Sequence, residues 1–575
     1  MSKMDPAPNK GSPSGPRRAL VGSLLLACIL ASALLPALEP PPEEAELPPV
    51  DGWNFFQFPK KDLGRMIYVV NTTGLPLSDK FSLVSLQGIV NRGRASIYLN
   101  NDDPAKPETG WLNANLGGQN YTFSNLTHIL ETFGAKLNGI VVYAEEFPDT
   151  INLATTLAGL FDCLICNKTR AQEFHGQFSL SVWYDLSIGE WAGNPPSSVF
   201  YVKAFERFFK MCDQKTLATI NPFLWSSRDW AISRRLFCFF LNPGPMAEPG
   251  QPEAFEEIMA KTPTATALVG WMRSDLGIEE NYGMQIISKH GKVLFPSEDS
   301  PNLSILGGLE PRAPLPSLLK RSVVRPVLDD KTYICFLMSD GDNTDYVNHF
   351  MRERWACPDR GKVPVGWSLP PALAEAAPTL LEYYYTTATN NDTFVAGSSG
   401  AAILYPDFYP ASRLPVFLNR SRALMDASGL ESVWLINSYA AHEIPYSNRA
   451  LSDYVDYLQP TGIFLDYGDV PVAKPYWIQN GKVNSGVPVV RSVHLWGSQE
   501  NAVAKILLDA GAKPAGPYFI FVTVHTWTMG LSDVVQVVSQ LEGSPLGPTL
   551  EFVAPAKLLQ LIQSDMVEKA GRALT

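Results

Sequence analysis

The chain has 575 residues, a net charge of −11, 46% apolar residues and 18% charged residues. That composition excludes a disordered chain, and the acidic balance argues against non-specific nucleic-acid binding. The length allows two or more domains.

Residues 1–18 are polar, rich in Pro, Gly and Ser, and close on Arg17-Arg18. Residues 19–38 are small and apolar with a single proline, long enough to span a bilayer. Glu39, Glu43, Glu44 and Glu46 follow in a Pro/Glu linker, 39–52. Basic before and acidic after predicts a cytosolic tail followed by a signal-anchor or signal peptide. The expected localisation is a single-pass type II membrane protein with its bulk lumenal or extracellular. If the segment is cleaved near Ala31-Ser32-Ala33, the protein is secreted.

Sequons at Asn71, Asn120, Asn125, Asn167, Asn302, Asn391 and Asn419 all follow the apolar segment, as a glycoprotein requires. Cys28 lies within that segment. The other six cysteines, Cys163, Cys166, Cys212, Cys238, Cys335 and Cys357, allow three disulfides in an oxidising compartment. Cys163 and Cys166 have redox-motif spacing, but nothing around them is thioredoxin-like.

Residues 53–325 alternate strand and helix patterns and predict an N-terminal α/β domain. Strands are expected at 65–70, 95–99 and 139–143. Helices are expected at 78–91, 124–133, 150–161 and 198–211, the last with aromatic residues that fill a core. No Gly-rich phosphate loop appears. The apolar run 265–271 ends in Arg273, Asp275, Glu279 and Glu280, a polar group able to reach across a domain interface.

Residues 326–575 repeat one pattern: an apolar run, then polar or aromatic groups, then a helical stretch. The run 333–339 has no polar/apolar alternation, as in a strand buried on both faces, and breaks into Asp340, Gly341, Asp342 and Asn343. Such a loop also reads as an acidic turn that caps the next helix. Seven further runs follow, at 363–366, 394–396, 433–436, 462–465, 487–493, 518–524 and 550–553. Eight strands alternating with helices predict a C-terminal (β/α)-barrel-like domain resembling (β/α)8, incomplete or distorted; an open doubly wound sheet is the competitor. Parallel strands bring the groups that end them to one rim. Those groups are Asp340, Asp342, Asn343, Trp367, Ser399, Asn437, Asp466, Asp469, His494, Trp496, His525 and Trp527.

The chain also resembles the GxGYxYP putative glycoside hydrolases, in both their N-terminal and C-terminal domains. The matching segments are 85–92 (SLQGIVNR), 228–233 (RDWAIS), 269–271 (VGW), 302–304 (NLS), 339–343 (SDGDN), 363–370 (VPVGWSLP), 383–392 (YYYTTATNND) and 397–406 (GSSGAAILYP). The namesake Gly-x-Gly-Tyr-x-Tyr-Pro is reduced here: Tyr405-Pro406 is kept, while the second Gly and first Tyr are lost. The resemblance implies hydrolysis of a glycan.

Glycoside hydrolysis needs two carboxyl groups, one to protonate the leaving oxygen and one to act as base or nucleophile. The candidates are Asp340 and Asp342 on one strand end and Asp466 and Asp469 on another, with one partner expected from each pair. Trp367, Tyr405, Trp496 and Trp527 are candidate sugar platforms. Asn343, Ser399, Asn437, His494 and His525 are candidate partners for sugar hydroxyls. Ser399 lacks the spacing of a nucleophile elbow. No cofactor is required by this reading. In the alternative, Asp340, Asp342, His494 and His525 hold a divalent metal for removal of acetyl groups from a polysaccharide, as a deacetylase or esterase. A third reading is a catalytically inactive carbohydrate-binding protein of the cell surface.

Overall fold

The computed structural model describes residues 60–101, 109–320, 326–438, 446–466, 476–478, 486–495, 498–513 and 515–574. The N-terminal region builds three separate parallel sheets. The first pairs β1 (Asp62–Asn71) with β2 (Arg94–Asn100) and β3 (Tyr121–Ser124) in the order β2-β1-β3. The second has β4 (Gly139–Val142) between β5 (Cys163–Cys166) and β6 (Val182–Asp185). The third comprises β7 (Thr216–Thr219), β8 (Phe237–Phe239), β9 (Ala267–Gly270) and β10 (Val293–Pro296) in the order β10-β9-β7-β8.

The helix Leu77–Gly93 joins these sheets because it is buried on nearly every side. Its Ser85 hydroxyl accepts from the Ile165 amide of β5 at 3.1 Å. At Gly88 a Cβ would lie 2.7 Å from the Asp229 carbonyl, so the residue's lack of a side chain lets the helix Arg228–Arg234 lie against it. Gln87 donates to Asn302 Oδ1 at 2.7 Å and Asn91 to the Ser304 hydroxyl at 2.9 Å. Asp229 Oδ2 accepts from the Ser304 amide at 2.7 Å. The motifs SLQGIVNR, RDWAIS and NLS thus meet in one buried polar knot, where every such group needs its partner. Asn302, one of the sequons, spends both amide atoms inside that knot.

The C-terminal domain is a closed parallel barrel. Its ring runs β11 (Thr332–Met338), β12 (Val365–Leu369), β13 (Asp392–Ala396), β14 (Val433–Leu435), β15 (Ile463–Leu465), β17 (Val487–Leu495) and β18 (Tyr518–Val524), and β18 pairs back onto β11. β16 (Tyr476–Ile478) lies antiparallel to β17, outside the ring. The eighth expected strand, β19 (Leu550–Phe552), pairs with the first half of β11, while β12 takes its last two residues. Among the described residues the ring therefore closes through seven strands, which corrects the eight-stranded expectation and excludes the open sheet.

Alternation along the strands sorts the side chains. Phe464 of β15 and Phe521 of β18 have ring centroids 4.5 Å apart although β17 separates their strands. They meet in the lumen. Tyr333, Cys335, Leu337 and Trp434 share that inner cluster. Ile334, Phe336, Met338 and Trp367 cluster instead with residues of the covering helices, such as Leu380 and Tyr384.

Two further expectations are corrected. Among the described residues, no helix is long and apolar enough to cross a membrane. Residues 19–38, the expected signal-anchor or signal peptide, lie outside the described residues, and so does the linker. The membrane partner and the type II or secreted localisation rested chiefly on that segment and are not carried forward. The six described cysteines are free thiols, not three disulfides. Cys163 and Cys166 sit three apart on β5, where alternate residues face opposite ways. Burial pushes both thiols up to about 12, which leaves them unreactive.

Candidate active site

β11 delivers the loop 339–343 to the carboxyl rim of the barrel. Ser339 continues the ladder, its amide donating to the Val524 carbonyl at 3.1 Å. Asp340 then turns into the left-handed region, with φ 65°, which is uncommon for a residue with a side chain and marks an over-determined position. Gly341 follows because nothing larger fits: a Cβ would lie 1.6 Å from the Ser368 carbonyl oxygen. Its amide donates to the Ser368 hydroxyl of β12 at 2.8 Å.

Three donors orient the Asp340 carboxylate. Ser339 donates to Oδ2, Thr526 donates to Oδ2 at 3.0 Å, and the Trp527 indole donates to Oδ1 at 2.9 Å. Arg354 holds the loop that carries Thr526 and Trp527, binding the Thr526 carbonyl through Nε at 3.0 Å and Nη2 at 2.6 Å. Trp527 is 44% exposed and Phe350 37%, with ring centroids 4.6 Å apart. They form an aromatic edge beside Asp340.

Asp342, two residues on, is buried, with the Ser398 hydroxyl donating to Oδ2. Burial, reinforced by the neighbouring Asp340 charge, pushes its carboxyl up to about 7. Gly397 allows this contact, since a Cβ there would lie 2.8 Å from the Asp342 Cα. The motifs SDGDN, VPVGWSLP and GSSGAAILYP therefore interlock at one loop.

Asn343 caps the helix Thr344–Asn348, its side chain accepting from the Asp345 amide at 2.9 Å. The capping-turn reading of the loop holds for this residue. One turn on, His349 Nε2 lies 3.3 Å from Asp345 Oδ1 and 3.9 Å from Asp299 Oδ2, and 3.0 Å from the Asp299 carbonyl. Asp299 arrives from the loop after β10 and accepts from the Ser226 hydroxyl. One ligand atom from each of Asp299, Asp345 and His349 lies within 4.8 Å of the other two, so the three could hold a metal ion. Glu298, next to Asp299, has its carboxyl pushed up to about 8 by burial and by Asp345, Asp299 and Glu280. Glu280 accepts from the Trp271 indole at 3.2 Å. The third N-terminal sheet and the barrel rim thus face one another with carboxyl groups on both sides.

Of the other predicted residues, Trp367 is wholly buried, its indole donating to Asp392 at 2.9 Å. The strand continues to Leu369, past the end of the apolar run 363–366, so Trp367 falls mid-strand and faces the helices. It has no face to offer a sugar. Ser399 is also buried, with φ 65°, donating to the Leu404 carbonyl at 2.6 Å. Tyr405 is buried near Glu280 and Asp342, and burial raises its hydroxyl well above the usual range. Asn437 accepts from the Asp407 amide at 3.0 Å and donates to the Asp407 carboxylate at 2.9 Å, which fixes the loop after Tyr405. Asp466 is buried at the end of β15 and accepts from the Trp434 indole at 3.1 Å. His525 Nδ1 lies 3.2 Å from the Thr528 hydroxyl. His494 belongs to the backbone of β17. Asp469 and Trp496 lie outside the described residues.

Sequence reasoning missed Glu298, Asp299, Asp345 and His349. The available signal was the Asp/His pair at i and i+4 directly after the acidic loop. Of the polar group after 271, only Glu280 reaches this cleft. Arg273 pairs with Asp275 at 3.1 Å, and Glu279 accepts from Ser274 and the Leu276 amide.

A closed parallel barrel with an acidic rim, walled by an N-terminal α/β region, defines an α/β protein whose candidate site lies at the carboxyl ends of the barrel strands. Three family models match the sequence: the "GxGYxYP putative glycoside hydrolase C-terminal domain" over 330–563, the "GxGYxYP third domain" over 217–308 and the "GxGYxYP_N 1st domain" over 66–133. The chain belongs to the GxGYxYP family. No curated protein matches it. Among solved structures, a putative hydrolase from Bacteroides thetaiotaomicron is similar, with a TM-score of 0.74 at 20% identity over 88% of this chain and 96% of that one. A putative polysaccharide deacetylase from Mycobacterium smegmatis has a TM-score of 0.28 at 10% identity over 45% of this chain and 96% of that one.

Proposed function

We propose that the protein is a glycoside hydrolase whose cleft lies between the barrel rim and the third N-terminal sheet. Asp342 is the proton donor. The observation that carries this reading is its buried carboxyl, pushed up to about 7 beside a second carboxylate. A group that keeps its proton near neutral pH is matched to donating it to a leaving oxygen. Asp340, oriented by three donors, is the base or nucleophile. Asp466, at the end of β15, is the second candidate for that role. The exposed edge of Trp527 and Phe350 suits the apolar face of a sugar ring. The family description as putative glycoside hydrolases supports the substrate class.

The test is release of reducing ends from a mixed glycan panel by the purified chain, beside Asp340→Asn, Asp342→Asn and Asp466→Asn. Turnover lost in Asp342→Asn and in one of the other two supports the reading. Acetate release without new reducing ends replaces it with ester or amide hydrolysis. Binding without product, unchanged in all three variants, makes the rim a recognition surface.

A further inference from the structure

We infer that Asp299, Asp345 and His349 bind one divalent cation that bridges the third N-terminal sheet and the barrel. The inference does not rest on the glycosidase reading. Asp345 lies on the helix Thr344–Asn348 and His349 caps its C-terminus one turn on, and Asp299 meets them from a loop of a different sheet. Metal–donor bonds of about 2.0–2.2 Å separate donor atoms by up to roughly 4.4 Å. The observed spread, within 4.8 Å, needs a small contraction, and His349 Nε2 exchanges its 3.0 Å contact with the Asp299 carbonyl for the ion.

Two further observations point to a ligand here. Ser300 and Thr344, the sequence neighbours of Asp299 and Asp345, are wholly buried, and their hydroxyls have no hydrogen-bond partner. Buried polar atoms of that kind call for an ion or water. The donors are also held from behind, as metal ligands usually are. Ser226 donates to Asp299, and Asn343 fixes the turn that carries Asp345. Two carboxylates and one imidazole suit Mn²⁺ or Zn²⁺ better than Ca²⁺, which prefers an all-oxygen shell of higher number.

The test is equilibrium dialysis of the full chain against Mn²⁺ and Zn²⁺, with Ca²⁺ as control, together with the thermal midpoint before and after EDTA. One equivalent is expected to bind Mn²⁺ or Zn²⁺ with a micromolar or tighter Kd. Asp345→Asn and His349→Gln should each weaken binding by about 100-fold and remove the EDTA effect on the midpoint. Ser226→Ala, which removes the hydroxyl that donates to Asp299, should weaken it by about 10-fold. No saturable binding below about 1 mM, or equal affinity in the parent and both ligand variants, overturns the inference. Neither readout needs turnover, so this result and the fate of the hydrolase reading are separate.

Discussion

Trp527 donates its indole N–H to Asp340 Oδ1 at 2.9 Å, across the seam where the last ring strand pairs back onto the first. The bond couples the exposed aromatic edge to a carboxylate of the candidate site. Trp527→Phe keeps the ring and removes the donor. A hydrogen bond to a charged group contributes about 1.5–3 kcal/mol, so kcat should fall by roughly tenfold or more. Trp527→Ala also removes the platform and should raise KM. Steady-state kinetics on the same glycan distinguish the two; equal loss in both variants would leave the ring without a role.

Asp342 sets a pH dependence. Its carboxyl is pushed up from 3.8 to about 7 by burial and by Asp340. As proton donor it should impose a loss of kcat/KM above about pH 7. Stability should follow the same proton. Between about pH 4 and pH 7 the folded chain holds a proton that the unfolded chain has released, so stability falls as pH rises through that window. Asp342→Asn cannot ionise. It should abolish turnover yet exceed the parent in thermal midpoint at pH 8, with the difference vanishing near pH 4. A variant less stable than the parent at both pH values would sink this account.

How much of this was readable in advance depended on locality. The position of Asp340 and Asp342 at a strand end was legible because an apolar run that stops at Asp-Gly-Asp is a strong local contrast. Trp527 was legible for the same reason. Trp367 was misread because the strand continues to Leu369, past the run 363–366, which places the ring mid-strand on the face that meets the helices. Ser399 and Asn437 end strands as expected but spend their polar atoms on neighbouring loops. Asp299 was beyond local reading altogether, since its partner His349 is 50 residues away and on another domain. The pairing of eight runs into a seven-stranded ring is likewise a matter of register, which no single strand's composition encodes.

The glycines of the interlocked loops grade by the space they lack. A Cβ at position 341 would lie 1.6 Å from the Ser368 carbonyl, and one at 397 would lie 2.8 Å from Asp342 Cα. At 118 nothing lies within 4 Å. Gly341→Ala should exceed the overpacking cost of about 1–3 kcal/mol, because rigid backbone must move. Gly397→Ala should cost less but displace Asp342, lowering kcat more than stability. Gly118→Ala should be near neutral. Denaturant midpoints and kcat for the three variants should fall in that order.

Arg228 is the strongest candidate for a residue that builds the cleft without entering it. Its guanidinium is wholly buried and makes five hydrogen bonds, all to neutral acceptors: the Leu224, Asn221 and Pro222 carbonyls, Asn152 Oδ1 and Thr155 Oγ1. Burial lowers it to about 10, so it still carries its charge at neutral pH. The loop it clamps ends in Ser226 and Ser227, which bond Asp299 and the Glu298 carbonyl. Arg228→Met would leave those acceptors buried and unpaired, at a cost of about 1–3 kcal/mol for each one left unsatisfied. Arg228→Lys keeps the charge but cannot span five acceptors, so it should recover only part of the stability. Both should loosen Asp299, and metal affinity should therefore drop with stability in proportion. Urea midpoints paired with Mn²⁺ dialysis would test this. Full stability in Arg228→Met would show that the clamp is not needed.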